Sequence, residues 1–232
     1  MTTLSGTASF ALTAAQVITY ALGKIGVLRA NTPANANEAA GALIELDCMM
    51  KEWGLTGPYL STRREAAITL AANTASYDLA SLTNPLRVMH ARYRNSSGID
   101  LPMEWLDHDA YFSLPQKTSS GPPTQYFFDP QSAHQTFYIW PVPPSVTTET
   151  IQYTYQRRIN DIGLITDNID VPQEWLSTVG YGLATRLCDD YGISDAVSER
   201  IHTRASQLRQ LAMDFDREPV VQFMPEARYG RG

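Results

Sequence analysis

The chain has 232 residues, of which 44% are hydrophobic and 18% charged, and its formal net charge is −6. This composition fits one compact domain or two small ones and excludes a wholly disordered chain. Its apolar runs are too short to span a bilayer, no secretory signal follows Met1, and two cysteines are too few for a disulfide framework. We therefore expect a soluble chain made in a cytosol.

Charge is distributed unevenly along the sequence. Residues 159–232 carry 12 acidic and 7 basic residues, whereas residues 58–158 carry eight of each. No segment is basic enough to neutralise a run of phosphates, so sequence-specific DNA binding is not expected. An acidic bias would instead repel DNA that passes nearby.

The first 57 residues predict two helices joined as a hairpin. Thr13 and Gln16 have the spacing of a capping box, and apolar residues then recur at helical spacing. A second helix is predicted to begin near Asn35 or Asn37, where a side-chain oxygen can accept a free N–H. Gly54 stands where a left-handed C-terminal cap is typical, so this helix is expected to end there.

Residues 58–158 predict a β-rich insert. Short alternating runs are separated by Asn, Gly and Pro turns, and one short helix opens at Asp107. The spacing favours a small antiparallel sheet or sandwich. The predicted strands are 67–70, 76–79, 86–93, 125–128, 136–140 and 150–155.

Residues 159–218 predict two more helices. Asp170 is expected to cap the first, with Pro172 in its first turn, and Ser194 opens the second. Each predicted helix has a single apolar stripe, so the N- and C-terminal helices should pack on each other. The expected fold is α+β, with a helical bundle from residues 1–57 and 159–218, a β-rich antiparallel insert at 58–158 and an extended tail at 219–232.

No pattern in the sequence carries recognisable catalytic or metal chemistry. The four histidines are scattered, and there is no Gly-rich phosphate loop, nucleophile-elbow serine or dinucleotide fingerprint. Cys48 and Cys188 lie among apolar residues of predicted helices, which is typical of buried thiols. We expect no catalytic residue, no cofactor and no metal site.

Two other functions remain open at this point. Glu104, Asp107 and Asp109 cluster beside Trp105, and Glu104 could be the proton donor of a peptidoglycan-cleaving enzyme. Asp107 is better explained as a helix cap. The tyrosine-rich strands could stack bases in a single-stranded nucleic-acid-binding protein, although the middle block lacks a basic groove.

Several residues are candidates for contact with a protein partner. The adjacent charges of Arg63 and Arg64 fit either surface ion pairs or an interface, and Trp140 fits either core or interface. The tail is too short and proline-rich to fold alone, yet it is apolar, so it is expected either to dock on a partner or to be a frayed end. The candidate contact residues are Arg63, Arg64, Trp140, Val220, Phe223, Met224 and Tyr229.

Short motifs follow one another in a definite order over about residues 42–192. They include Thr62-Arg63-Arg64-Glu65, Tyr77-Asp78-Leu79, Gly121-Pro122-Pro123-Thr124-Gln125, Phe137-Tyr138-Ile139-Trp140-Pro141-Val142-Pro143 and Asp170-Val171-Pro172-Gln173-Glu174-Trp175. In this order they resemble the head-to-tail adaptor family of short-tailed, podovirus-type bacteriophages. The same family is also called tail accessory factors or packaged-DNA stabilisation proteins.

The resemblance implies structural rather than enzymatic work. Such adaptors form a ring, usually dodecameric, that docks beneath the portal of a filled capsid, seals the DNA exit and provides a platform for the tail nozzle or fibres. The implied partners are the portal protein, a nozzle or tail-fibre protein and further copies of the chain, without a membrane. Packaged DNA would pass through the channel without sequence-specific binding, and the acidic surplus after residue 159 would make the channel wall repel it. The implied location is the head–tail junction of the virion, after assembly in the host cytoplasm.

Overall fold

The computed structural model describes residues 10–29, 32–56, 59–131 and 134–216. Helices at both ends flank a β-rich middle, which confirms the predicted α+β class. In these ranges, no helix is long and apolar enough to cross a membrane. The elements are α1 (Ala14–Lys24), α2 (Ala36–Thr56), α3 (Tyr59–Thr62), β1 (Arg63–Thr69), β2 (Ser76–Asp78), β3 (Pro85–Arg94), β4 (Asp100–Pro102), β5 (Glu104–Trp105), α4 (His108–Phe112), β6 (Gln125–Pro130), β7 (Gln135–Trp140), β8 (Thr150–Arg157), a 3₁₀ turn (Gln173–Trp175), α5 (Leu176–Asp190) and α6 (Asp195–Phe215).

Helix α5 lies at the centre of the helical bundle and contacts α1, α2 and α6. Its residues Val179, Leu183 and Leu187 are buried in one apolar core with residues of the other three helices. Two glycines let the neighbouring helices come close. A Cβ on Gly180 would lie 2.5 Å from a ring carbon of Tyr20 in α1, and one on Gly182 would lie 2.8 Å from the Trp53 ring in α2. The N- and C-terminal helices therefore pack together, as their single apolar stripes predicted.

The predicted starts of the first two helices are confirmed, but the predicted end of α2 is wrong. Thr13 and Gln16 form the reciprocal capping box, and the Asn35 side chain accepts the N–H groups of Asn37 and Glu38. Helix α2 continues past Gly54 to Thr56. Gly54 is buried inside the helix, and its carbonyl accepts a hydrogen bond from Gln156 Nε2.

The middle of the chain forms two packed four-stranded sheets, in the orders β1-β8-β3-β4 and β2-β7-β6-β5. Apolar side chains from both sheets share one core, in which the rings of Tyr126 and Phe137 stack at 5.2 Å. All six predicted strands are present. Strands β4 and β5, of three and two residues, were not predicted; all their residues are exposed, so they lack the apolar alternation of a half-buried strand. The insert is also not wholly antiparallel. The Met103 N–H bonds to β3 in one sheet, and the chain then enters the other sheet as β5, which runs parallel to β6.

Hydrogen bonds at the end of β8 join the sandwich to the bundle. The guanidinium of Arg157 donates twice to the carboxylate of Asp170, from Nη2 at 2.7 Å and also from Nη1. Gln156 Nε2 donates to the Gly54 carbonyl at 3.0 Å, and Lys51 Nζ donates to the Ile159 carbonyl at 2.7 Å. The bonds of Gln156 and Ile159 attach the end of β8 to the end of α2, and the Arg157–Asp170 pair attaches it to the segment that leads into α5.

The predicted helix-capping role of Asp170 is wrong. The 3₁₀ turn begins after Pro172 without a side-chain cap, because the Asp170 carboxylate is already engaged by Arg157 and by the Asn160 N–H. Burial tends to raise the pKa of Asp170. The hydrogen bonds from Arg157 and Asn160, together with the charges of Arg157 and Arg64, outweigh burial and lower this pKa.

Replacing Leu183 by Ala should destabilise the whole chain, because this fully buried side chain touches the shared core of the N- and C-terminal helices. We expect a loss of about 2–5 kcal/mol in the free energy of unfolding, measured by urea denaturation. Leu211→Ala in α6 is the control, since Leu211 is 68% exposed and its loss should change stability by less than about 0.5 kcal/mol. Wild-type stability of Leu183→Ala would show that the two helical halves do not stabilise each other.

Replacing Asp170 by Asn should weaken the attachment of the sandwich to the bundle and remove part of the pH dependence of the free energy of unfolding. Because the folded pKa of Asp170 is lowered, its contribution is present above the unfolded carboxyl pKa of about 3.9 and is lost as pH falls through the lower folded value. At pH 7 we expect Asp170→Asn to cost roughly 1–3 kcal/mol, with a smaller further loss than wild type below pH ~4. The exposed Asp189→Asn is the control, and an equal pH dependence in wild type and Asp170→Asn would contradict the assignment.

Candidate partner interfaces

The two predicted contact arginines open the edge strand β1 and lie on opposite sides of it. Arg63 pairs in register with Gln156 of β8, and Arg64 with Tyr155. Arg64 is exposed, and its Nη1 donates to the Arg63 carbonyl at 2.9 Å. Since side chains alternate along a strand, only Arg63 lies on the outer face of its sheet.

That outer face is basic. Strand β3 places Arg87, Arg92 and Arg94 on the same side as Arg63, through its register with β8. Two acids, Asp100 and Glu65, share this side. Asp100 accepts a hydrogen bond of 2.6 Å from Arg94 Nε, and this bond lowers the pKa of Asp100. The Glu65 carboxylate lies 3.5 Å from the Arg92 guanidinium. We call this surface the arginine face, defined by Arg63, Arg87, Arg92 and Arg94. The sequence carried a signal for this face, because three arginines, Arg87, Arg92 and Arg94, lie within or directly after the predicted strand 86–93.

The opposite side of the sandwich is acidic. Asp78 and Asp129 lie on the outer side of the second sheet, where both pair with Thr136, and Glu104 extends the same surface on β5. Asp107 and Asp109 lie in or next to α4, which covers this side. We call this surface the acidic face, defined by Asp78, Glu104, Asp107, Asp109 and Asp129. Acids therefore predominate on one face of the sandwich and arginines on the other. The acidic side also carries one lysine, because Lys117 Nζ lies over the Tyr111 ring.

A cluster of aromatic rings holds α4 against the acidic side. Tyr111 of α4 stacks on Phe127 at 5.4 Å, and Phe127 stacks on Tyr138 at 5.7 Å. Trp140 is half-buried at the end of β7, and its Nε1 donates to the Gln116 carbonyl at 3.0 Å. Trp105 of β5 is 60% exposed. Because it alternates with Glu104 and pairs with Tyr126, it faces the other side of its sheet from this cluster. Trp105 thus presents more surface to a partner than Trp140 does.

The acids that suggested a hydrolase serve structural contacts. Asp107 caps α4 by accepting the Ala110 N–H at 2.7 Å, which confirms its predicted role. Glu104 is exposed, and its carboxylate accepts a hydrogen bond from Gln125 Nε2 at 2.8 Å. Within the described ranges, no group of three or more His, Cys, Asp or Glu side chains lies together as a metal site would require.

The burial of several other candidate residues differs from what the sequence predicted. Tyr126 and Tyr153 are buried between the two sheets and do not present their rings to bases. Cys188 is buried as expected, whereas Cys48 is exposed on α2, which corrects the prediction for that thiol. The remaining predicted contact residues, Val220, Phe223, Met224 and Tyr229, lie outside the described residues.

Comparison with known proteins gives a family-model match over most of the chain. A family model described as SU10 adaptor protein matches residues 9–222. Among solved structures, the chain is similar to a chain from a "Virion of native gene transfer agent (GTA) particle", with 12% identity and a TM-score of 0.28, covering 78% of this chain and 83% of that one. No curated protein matches the sequence.

Proposed function

Because the chain belongs to the SU10 adaptor protein family of phage head–tail adaptors, we propose that it forms a ring beneath the portal of the virion. In that position it seals the DNA exit and provides a platform for the tail nozzle or tail fibres. The family match over residues 9–222 is the observation that carries this proposal. The role is structural, and the proposed partners are the portal protein, a nozzle or fibre protein and further copies of the chain, with twelve copies as the ring size that the resemblance implies.

The separated charges of the sandwich support a ring. A closed ring of identical chains needs a heterologous contact, in which one surface of each copy meets a different surface of the next. The arginine face and the acidic face lie on opposite sides of one sandwich, so they suit such a contact. Complementary charges also favour correct orientation during association.

The wall of the proposed channel is acidic, or at least not basic, as the surplus of acids after residue 159 suggests. A repulsive wall lets packaged DNA move without sequence-specific binding. Arg209 is engaged inside the chain, because its guanidinium lies over the Trp53 ring and Nη2 donates to Thr56 Oγ1. A reconstruction with a channel lined mainly by Arg200, Arg204 and Arg209 would contradict this part of the proposal.

The tail at residues 219–232 docks on the portal or on a neighbouring subunit. It holds Val220, Phe223, Met224 and Tyr229, which would gain from burial against a partner. Docking of an extended segment supplies main-chain hydrogen bonds together with apolar anchors. Its ordering cost is met when the segment binds.

Reversing charge on the arginine face should weaken ring formation. The double variant Arg92→Glu, Arg94→Glu places negative charge opposite the proposed acidic face, and we expect each subunit contact to weaken at least tenfold. Analytical ultracentrifugation at low and high salt measures this, and the difference from wild type should shrink as salt increases. Arg200→Glu on α6 is the matched control away from the face. Equal assembly of the double variant and the control would exclude this contact.

Deleting residues 219–232 should leave the helical bundle folded but weaken attachment to portal-bearing heads. The deleted residues lie beyond the described core, so urea denaturation should match the full chain. Co-sedimentation with heads, and retention of DNA by those heads, report attachment and sealing. If the truncated chain joins and seals heads as well as the full chain does, the tail is not a docking segment.

A further inference from the structure

Within residues 10–216, as far as they are described, no strand pairs with the edge of β1 that faces away from β8. The Leu70 N–H bonds to the Glu149 carbonyl of the β8 side at 3.3 Å, in the same register as the rest of the pair. In an antiparallel ladder, residues alternate between bonding toward one neighbour and toward the other. The backbone groups of Glu65, Ala67 and Thr69 therefore point away from β8, and among the described residues no other strand pairs with them.

Strand β1 is also the long edge of this sandwich. The other edge strands, β2, β4 and β5, have three, three and two residues, and β4 ends in Pro102. Short strands and prolines are common ways in which proteins protect an edge from pairing. Strand β1 has seven residues, and Glu65, Ala67 and Thr69 are exposed. It is thus the edge best suited to receive another strand.

The tail contains a five-residue segment with the composition of a strand. Val220, Val221, Gln222, Phe223 and Met224 stand between Pro219 and Pro225, outside the described residues. β-Branched and aromatic residues favour strands, whereas proline cannot donate to a ladder. The segment therefore has the length to supply three sets of backbone groups, which equals the number that β1 offers.

The two prolines determine which tail residues can face β1. Both are at odd positions, so if the even positions 220, 222 and 224 bond to β1, both missing N–H groups point away from the ladder. With Ala67 opposite Gln222 in antiparallel pairing, Val221 lies beside Ile68, which is buried in the sandwich core, and Phe223 lies beside the small Ala66. The same register places Glu226 opposite Arg63, so the charges at that end are complementary.

We propose that the open edge of β1 receives residues 220–224 of a neighbouring copy as an added antiparallel strand, with Ala67 opposite Gln222. The inference rests on the proposed ring and identifies one contact within it. Each copy then donates one tail and accepts another, which is a heterologous contact that closes with the ring.

The position of α6 favours a neighbour over the chain's own tail. Arg209 of α6 contacts Thr56 at the end of α2, and the chain reaches Arg63 shortly after that residue. Only residues 217–219 connect α6 to the proposed strand, and Thr69 lies about 20 Å along β1 from Arg63. A tail that enters beside Arg63 runs parallel to β1, so the antiparallel register is supplied from another copy.

Engineered disulfides test both the register and the donor of the strand. In a Cys48→Ser background, Ala67→Cys combined with Gln222→Cys places two Cα atoms about 5.5 Å apart, within disulfide range. We expect oxidation of the assembled full chain, alone or on portal-bearing heads, to give disulfide-linked chains on a non-reducing gel. Ala67→Cys with Val221→Cys is the matched control, and it should cross-link at least tenfold less because residue 221 lies on the other side of the strand.

Mixing the two single variants identifies the donor. Ala67→Cys and Gln222→Cys made on separate chains should form a mixed dimer, which only a neighbour's tail can produce. A disulfide formed only within one chain, equal cross-linking at residues 221 and 222, or no cross-link would each overturn the proposal. Co-sedimentation with heads is measured separately. Attachment without a cross-link would contradict the added strand but not the adaptor role. A cross-link without attachment would contradict the adaptor role but not the added strand.

A backbone substitution gives an independent test. Gln222→Pro removes the N–H that should bond to the Ala67 carbonyl, while Gln222→Ala keeps it. We expect Gln222→Pro to reduce copy-to-copy association at least tenfold by analytical ultracentrifugation, and Gln222→Ala to associate as wild type does. Equal association of the two variants would show that this N–H does not pair with β1.

Discussion

The contacts at the end of β8 hold the molecule together as one unit. Strand β8 lies between β1 and β3 in its sheet, and the two residues that end it are both tied to the bundle side. Gln156 is buried and bonds to the Gly54 carbonyl inside α2, and Arg157 forms the bidentate pair with Asp170. A partly buried charge is costly when its partner is removed, so this attachment needs both Arg157 and Asp170. The orientation of the sandwich on the bundle, and therefore of every surface on the sandwich, depends on these few bonds.

That orientation matters because the sandwich is electrically polar. Alternation along β3 sends Arg92 and Arg94 to one side, while Asp129 of β6 and the acids around α4 lie on the other. A chain with balanced charge in this region thus has two dissimilar faces. A ring of identical subunits needs such a difference between its two contacting surfaces. Strand β1 has an open edge for a different reason, since it is the terminal strand of its sheet among the described residues.

Polar residues that would suggest chemistry in another protein serve structural purposes here. Asp107 caps α4, Glu104 bonds to Gln125, and Asp170 holds Arg157. The rings of Tyr126 and Tyr153 fill the sandwich core instead of facing solvent. In this chain, polar groups cap helices, attach the sandwich to the bundle and form charged surfaces. These uses fit a family of structural virion adaptors.

The sequence alone determined the features that depend on near neighbours. Local spacing predicts the capping box at Thr13, the side-chain cap at Asn35 and the cap at Asp107. It also predicts six of the eight strands and the α+β class. The order of motifs was also sufficient to indicate the adaptor family.

Tertiary structure decided the hydrogen-bond partners of residues that a distant part of the chain contacts. Gly54 does not end its helix and Asp170 does not cap one, because each is engaged by β8, about a hundred residues from Gly54 and 13 from Asp170. The short strands β4 and β5 form only where longer strands offer them partners, and the separation of basic from acidic faces depends on strand register. Pairing over such distances leaves no local pattern in the sequence, and for that reason only the folded chain reveals it.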